Sequence, residues 1–212
     1  MAPSNILSIE EDVQFIKQYP KAVPDDLCEH FIKVFEENEK NQFKGMSGLE
    51  YGQVDLEAKD STDLDLMKGT EIYGWNKESK DRLEHCLMVV LADYMSHTHP
   101  DDKGNRSAWI PSKLRQKLFM LQGPRMMRYH PGQGFYAWHS DANTQNGRQI
   151  VMMAYLNDVA EGGETAFLHQ GVKVKPEKGK IAIFPASFTH YHCGMEVISN
   201  TKYAINFNFG SY

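Results

Sequence analysis

Two potential metal ligands stand two residues apart in His139-Ser140-Asp141, at the end of the run RYHPGQGFYAWHSD from Arg128 to Asp141. Along an extended strand, residues i and i+2 face the same side, so this histidine and this carboxylate can converge on one ion. Two histidines and one carboxylate, leaving three octahedral positions open, are the donor set of a non-haem Fe(II) centre. The second histidine must come from elsewhere in the chain. His190 and His192, in FPASFTHYHCG from Phe184 to Gly194, are the candidates. They too are i and i+2, so strand parity does not choose between them.

The bare His-x-Asp pattern is weak evidence. With nine histidines and thirteen aspartates in 212 residues, chance alone gives about half an occurrence. A second copy, His99-Pro100-Asp101, sits in a polar stretch after a helix and reads as a solvated turn. The copy at His139 differs because an extended aromatic stretch leads through it into a region of strands. His30 and His85 fall on helices, His169 in a loop and His130 beside a proline turn, and all four read as structural or solvated. The acidic run Asp60 to Asp65 lacks the glycine and terminal glutamate of a calcium loop, so residues 40–76 read as solvated loop.

The last strand carries a further chemical signal. Lys202, Ala204, Asn206 and Asn208 alternate with Tyr203, Ile205, Phe207 and Phe209. One face is apolar and packs on another layer; the other is small and polar and carries a lysine. A lysine buried inside a barrel is costly unless it meets an anion, so Lys202 either reaches solvent or faces an anionic ligand.

These residues need elements to hold them. Val23-Pro24-Asp25-Asp26 opens a helix with an acidic first turn, and Leu27, Cys28, Phe31, Val34 and Phe35 give it one apolar face. A second helix runs from about Lys77 to Met95, with Leu83, Cys86, Leu87, Val90, Leu91 and Tyr94 as its stripe. A short strand or turn is expected near Phe15-Ile16, and a helical turn from Pro111 to Leu118. After residue 120 the apolar period changes from 3.6 to 2. Candidate strands are Arg125–His130, Gln149–Leu156, Thr165–Leu168, Val172–Val174, Lys180–Phe184, Tyr191–Gly194 and Lys202–Phe209, separated by glycine-containing turns. Strands at this spacing make a sandwich or barrel. The chain is therefore α+β, with helices first and a single β core.

Bulk composition narrows the function. A net charge of −5 argues against nucleic-acid or anionic-membrane binding, both of which need positive charge. No apolar run approaches the ~20 residues needed to cross a bilayer. The N-terminus lacks the basic and apolar segments of a secretory signal. Three scattered cysteines, Cys28, Cys86 and Cys193, make no disulfide framework. A cytoplasmic protein is expected.

From Met120 to Phe209, with a weaker likeness in the first helix, the chain resembles the Fe(II)- and 2-oxoglutarate-dependent dioxygenases, and among them the prolyl 4-hydroxylases. Tyr129-His130-Pro131-Gly132 followed by His139-Ser140-Asp141 is similar to that group's Y-x-x-G…HxD segment. The stretch Tyr155 to Phe167, YLNDVAEGGETAF, is close to its YLN-x-V-x-x-GGET-x-F. In the family, a basic residue ten positions after the distal histidine binds the far carboxylate of 2-oxoglutarate. His192 plus ten is Lys202, so the resemblance favours His192 over His190. It further implies that Tyr129 and Thr165 hydrogen-bond 2-oxoglutarate, and that Tyr136 and Arg148 hold a peptide substrate.

There are departures from the pattern. The tyrosine-to-histidine spacing is one residue longer than in the plant-type enzymes. The distal segment HCGMEV lacks their proline before valine, and Asn208 stands where they carry a tryptophan. Asp141 favours hydroxylation, since related halogenases replace that carboxylate with a small residue.

The resemblance implies a double-stranded β-helix (jelly-roll, cupin-like) core over residues 120–212, buttressed by a helical and loop support region over 1–119. It implies Fe(II), held by His139, Asp141 and His192, with 2-oxoglutarate as cosubstrate, O2 and L-ascorbate. The expected partner is a proline-containing peptide or protein, and the chain is expected to be a monomer or weak homo-oligomer. Hydroxylation of another peptide side chain or of a small metabolite is the alternative. A catalytically silent jelly-roll binding module would lack at least one of His139, Asp141, His192 and Lys202; all four are present.

Overall fold

The computed structural model describes residues 12–47, 52–67, 72–98, 119–142 and 147–210. The second His-x-Asp, at His99, and the helical turn expected at Pro111–Leu118 lie outside the described residues.

Helix α1 spans Asp25–Glu36, with Asp25 and Asp26 in its first turn. Its apolar stripe (Leu27, Cys28, Phe31, Val34 and Phe35) is fully buried. Helix α2 spans Lys77–Thr98. Asn76 and Ser79 cap it reciprocally: the Ser79 amide donates to Asn76 Oδ1 at 2.9 Å, and the Asn76 amide to Ser79 Oγ at 3.3 Å. Leu83, Leu87, Val90, Leu91 and Tyr94 are buried as the stripe requires, while Cys86 is half-buried.

Twelve strands follow the chain: β1 (Asp12–Val13), β2 (Ile16–Tyr19), β3 (Phe43–Lys44), β4 (Thr62–Asp65), β5 (Phe119–Tyr129), β6 (Phe135–His139), β7 (Arg148–Tyr155), β8 (Thr165–Phe167), β9 (Lys173–Val174), β10 (Ile181–Pro185), β11 (His192–Gly194) and β12 (Lys202–Gly210). An eight-stranded sheet has the order β1-β2-β10-β7-β12-β5-β4-β3, and a four-stranded sheet the order β6-β11-β8-β9. From β5 to β12 the chain crosses repeatedly between the two sheets, contributing four strands to each. This is the double-stranded β-helix, and with the helices it makes the α+β class expected.

The alternation of the strands separates two cores. Ile150, Met152, Ala154, Ile181, Ile183, Ile205, Phe207 and Phe209 turn outward and pack under α1 and α2. Met127, Tyr129, Val151, Tyr155, Phe167, Ala182, Phe184 and Ala204 turn inward. Both faces of the large sheet are thus covered, which fixes the register: a slip by one residue would put Lys202 among the apolar residues under the helices.

Three features differ from expectation. Strand β6 was not among the candidate strands, because FYAWH is apolar on both faces; its outward Trp138 remains 44% exposed. Strand β5 starts at Phe119, six residues before the candidate strand. Residues 40–76 are not simply a solvated loop, since β3 and β4 extend the large sheet beyond β5. Within the acidic run, Asp63 is completely buried, where Lys59 Nζ meets its Oδ2 at 2.8 Å and Ser61 Oγ donates to its Oδ1 at 2.7 Å. Composition shows a run of carboxylates, whereas the lysine that neutralises the buried member appears only in three dimensions. The turn at Gln14-Phe15, both with positive φ, joins β1 to β2 as a hairpin where a short strand or turn was expected.

Candidate active site

Strands β6 and β11 are antiparallel neighbours, and His139 is the register partner of His192. Their rings lie 4.3 Å apart on the inner face of the small sheet. Asp141, just past the end of β6, completes the cluster: one ligand atom from each of His139, Asp141 and His192 lies within 4.8 Å of the others. Asp141 Oδ2 is 3.3 Å from His192 Nε2.

Second contacts fix the ring orientations. Nδ1 of His139 lies 2.9 Å from the Ala137 carbonyl, and Nδ1 of His192 lies 3.1 Å from the His190 carbonyl. A carbonyl only accepts, so each Nδ1 carries the proton and donates it, leaving Nε2 as the metal-facing atom. Phe135 stacks on His139 at 4.0 Å and 16°, while Phe184 meets His192 edge-on at 4.9 Å. Burial, reinforced by the neighbouring His192, pulls the His139 pKa down to about 4. Burial works the other way on Asp141, but the neighbouring His192, His139 and Arg148 outweigh it and bring the carboxyl to about 2. A neutral histidine and an ionised carboxylate at neutral pH are the protonation states that metal ligation needs. These donors fit Fe(II).

His190 does not join them. Its Nε2 lies 2.8 Å from the Gln14 carbonyl and its Nδ1 2.9 Å from Thr189 Oγ1. A 3-10 turn at Phe188–His190 precedes β11, so the segment is not extended there and the parity that made the two histidines equivalent is broken.

The triad opens onto a cavity of about 700 Å³. Lys202, on β12 opposite Tyr129, lines it and is only 5% exposed. Its Nζ donates to the Gly163 carbonyl at 2.6 Å and lies over the rings of Tyr129 and Tyr155 at 5.3 and 5.5 Å. It forms no ion pair among the described residues, and burial lowers its pKa to about 8. A charged amine held in a cavity without a counter-ion fits the distal carboxylate of a dicarboxylic acid.

The double glycine Gly162-Gly163 makes this contact attainable. Both residues have positive φ, and a Cβ on Gly162 would stand 2.2 Å from the Glu196 carbonyl oxygen. Thr165 and Tyr129 also line the cavity. Thr165 Oγ1 is 2.7 Å from the hydroxyl of Tyr155, a buried residue that the site reading had not included. Burial raises the pKa of both Tyr129 and Tyr155, so each stays a neutral hydroxyl.

Arg148 lines the cavity beside Asp141, with Nη1 3.5 Å from Oδ1 and 3.2 Å from the backbone carbonyl. Tyr136 is not brought together with the others. It occupies the β6 face opposite Phe135, Ala137 and His139, all three of which line the cavity, and its hydroxyl donates to the Gly132 carbonyl at 2.6 Å. Reasoning from sequence also missed Asp55, Ala58 and Lys59, which form part of the cavity wall. Arg125 and Met127, which share the inward face of β5 with Tyr129, also line the cavity and were not among the expected site residues.

The jelly roll thus places two histidines and a carboxylate that could hold a metal ion in one cavity with a buried lysine that could meet a dicarboxylate. The model of the 2OG-Fe(II) oxygenase superfamily matches residues 124–210. A search of the curated proteins by sequence finds no match. Among solved structures, the chain is similar to a prolyl hydroxylase from Trichoplax adhaerens in complex with a hypoxia-inducible-factor peptide fragment. That match has a TM-score of 0.70 at 14% identity over 93% of this chain and 84% of that one. It is also similar to the viral collagen prolyl hydroxylase of Paramecium bursaria Chlorella virus-1 in its 2OG complex, with TM-score 0.64 and 19% identity, covering 94% and 97%. A Pseudomonas putida prolyl-4-hydroxylase follows at TM-score 0.63 and 15% identity, covering 93% and 92%. At these identities the structural likeness establishes the fold, and the residues of this chain must carry the chemistry.

Proposed function

We propose that this protein is an Fe(II)- and 2-oxoglutarate-dependent dioxygenase that hydroxylates a peptidyl proline. The overall reaction consumes O2 and 2-oxoglutarate, puts one oxygen atom on the substrate carbon, and releases succinate and CO2. The observation that carries the reading is the combination of triad and buried lysine in one cavity: a site for iron and a site for a small dicarboxylate, with volume left over for a substrate.

When bound, the iron and 2-oxoglutarate supply the oxidising chemistry. The protein's residues supply position and charge. His139 and His192 offer Nε2 because backbone carbonyls hold Nδ1. Asp141 stays ionised, and Arg148 restrains it through two contacts. Lys202 neutralises the distal carboxylate of 2-oxoglutarate, while Tyr129 and Thr165 hydrogen-bond it, with Thr165 oriented by Tyr155. Phe135, Phe167 and Phe184 exclude water from one side of the site, which strengthens each of these interactions.

A peptide substrate is supported by three structural relatives that are prolyl hydroxylases, one in complex with a peptide fragment. The GGET segment supports it too, and so does the open cavity beyond the triad, where Arg148 would contact the chain. L-ascorbate is the expected reductant. The test is succinate release from 2-oxoglutarate with Fe(II) across proline-containing peptides, read alongside peptide mass. A gain of one oxygen atom on proline supports the reading. Turnover that never adds oxygen to a prolyl peptide would redirect it to another side chain or a small metabolite.

A further inference from the structure

The cavity has a second polar end that neither iron nor 2-oxoglutarate accounts for. Strand β12 runs along its floor from Lys202 to Asn208, six residues, which at a rise of about 3.3 Å per residue is roughly 20 Å. One small dicarboxylate held by Lys202 cannot reach Asn208. At this far end Asn206 pairs with Arg125 on β5 and Met153 on β7, and Asn208 with Val151 on β7. Arg125, Arg148, Asn206 and Asn208 all line the cavity, and Arg148 touches Asp141, so this end adjoins the triad.

Asn208 is 4% exposed. Its Nδ2 donates to Asn206 Oδ1 at 2.8 Å. Its Oδ1 is buried and has no hydrogen-bond partner among the described residues. A buried acceptor without a donor is destabilising. A donor that enters the cavity relieves it once the Asn208 side chain turns to present this oxygen.

Resting on the peptidyl-proline reading, we propose that Asn208 forms a substrate subsite that accepts a backbone N–H from a residue flanking the hydroxylated proline. Proline has no N–H, so the hydroxylated residue cannot provide this bond and a flanking residue must. The consequence is selectivity. A proline with non-proline neighbours satisfies Asn208, whereas a run of consecutive prolines leaves its Oδ1 buried and unpaired. The protein therefore selects isolated prolines over polyproline.

The test is peptide binding by fluorescence anisotropy to the Fe(II)- and 2-oxoglutarate-loaded protein without oxygen, so that nothing turns over. Four labelled peptides of equal length are compared: one proline among alanines, the same peptide N-methylated at the alanine after the proline, the same peptide N-methylated at the alanine before it, and polyproline. The unmodified alanine peptide should bind about tenfold more tightly than polyproline, and one of the two methylations should cost about the same factor. Asn208→Leu should compress these differences to about twofold or less, and Asn208→Asp, which keeps an acceptor, should preserve them.

Equal binding of all peptides to the unmodified protein overturns the subsite. So does selectivity that survives Asn208→Leu. The N-methyl comparison needs no variant, so a misfolded substitution does not protect the proposal. Admitting air separates the two levels of the argument. Prolines oxidised without selectivity overturn the subsite alone, while no prolyl oxidation on any peptide overturns the peptidyl-proline reading and the subsite with it.

Discussion

Replacing Lys202 with methionine should make the protein more stable and at the same time blind to 2-oxoglutarate. The lysine is 5% exposed, and burial brings its pKa from the ordinary 10.5 to about 8. A shift of that size means the folded state disfavours the charged amine by about 3 kcal/mol. The sign follows from proton uptake. Between pH 8 and 10.5 the unfolded chain holds a proton that the folded chain has released, so stability rises with pH across that window, and below pH 8 the full penalty is present. Methionine fills a similar volume without charge. It forfeits the bond to the Gly163 carbonyl, worth about 1 kcal/mol, leaving a net gain of about 2 kcal/mol at neutral pH. For a chain of this size, that raises the melting temperature by roughly 4–8 °C.

The cosubstrate reverses the order. Losing the charge-assisted contact should raise the KM for 2-oxoglutarate by roughly 10- to 150-fold. Saturating 2-oxoglutarate should stabilise the wild-type protein far more than the variant. Thermal unfolding with and without 2-oxoglutarate, in the presence of Fe(II) under anaerobic conditions, reads both effects. A variant less stable than wild type without cosubstrate, or one that 2-oxoglutarate still stabilises fully, would refute the account of Lys202 as a buried cation awaiting an anion.

His192→Ala should abolish stoichiometric iron binding, whereas His190→Ala should retain it, since His190 is engaged with Gln14 and Thr189; iron content by elemental analysis decides, and the opposite pattern would exchange the two assignments. The metal-free protein should lose up to about 3 kcal/mol as pH falls from 6.5 towards 4, because over that window the unfolded chain protonates His139 and the folded chain does not; urea midpoints across the range measure it. Asp63→Ala should destabilise the fold by about 3–5 kcal/mol, because it strands the buried Lys59 cation beneath Phe135, and denaturant unfolding is the readout.

Local pattern made the β core legible. Alternation in β12 gave both the apolar face under the helices and the inward line of Lys202, Ala204, Asn206 and Asn208, because in a strand parity alone sets direction. Helical periodicity likewise gave the start and the buried face of α1. The hidden part depended on contacts that periodicity and composition do not disclose. Asp63 reads as one more solvated carboxylate until Lys59 and Ser61 surround it, so the sheet extension through β4 was invisible. Strand parity left His190 and His192 equivalent, and the ten-residue spacing to Lys202 favoured His192 only through the resemblance; the 3-10 turn that breaks the parity is visible only in the structure. Tyr136 shows the limit of reading by resemblance, since its place in the motif says nothing of the β6 face on which it falls. Asn208 was visible as a departure from pattern, but its buried, donorless oxygen was not.

The most direct test of the central claim is the stoichiometry of succinate and oxygenated peptide formed from 2-oxoglutarate, O2 and a proline-containing peptide, with and without Fe(II). The account predicts iron-dependent succinate in step with the gain of one oxygen atom on proline, both abolished by His139→Ala. Succinate formation that needs no iron, or that survives loss of His139, would contradict it.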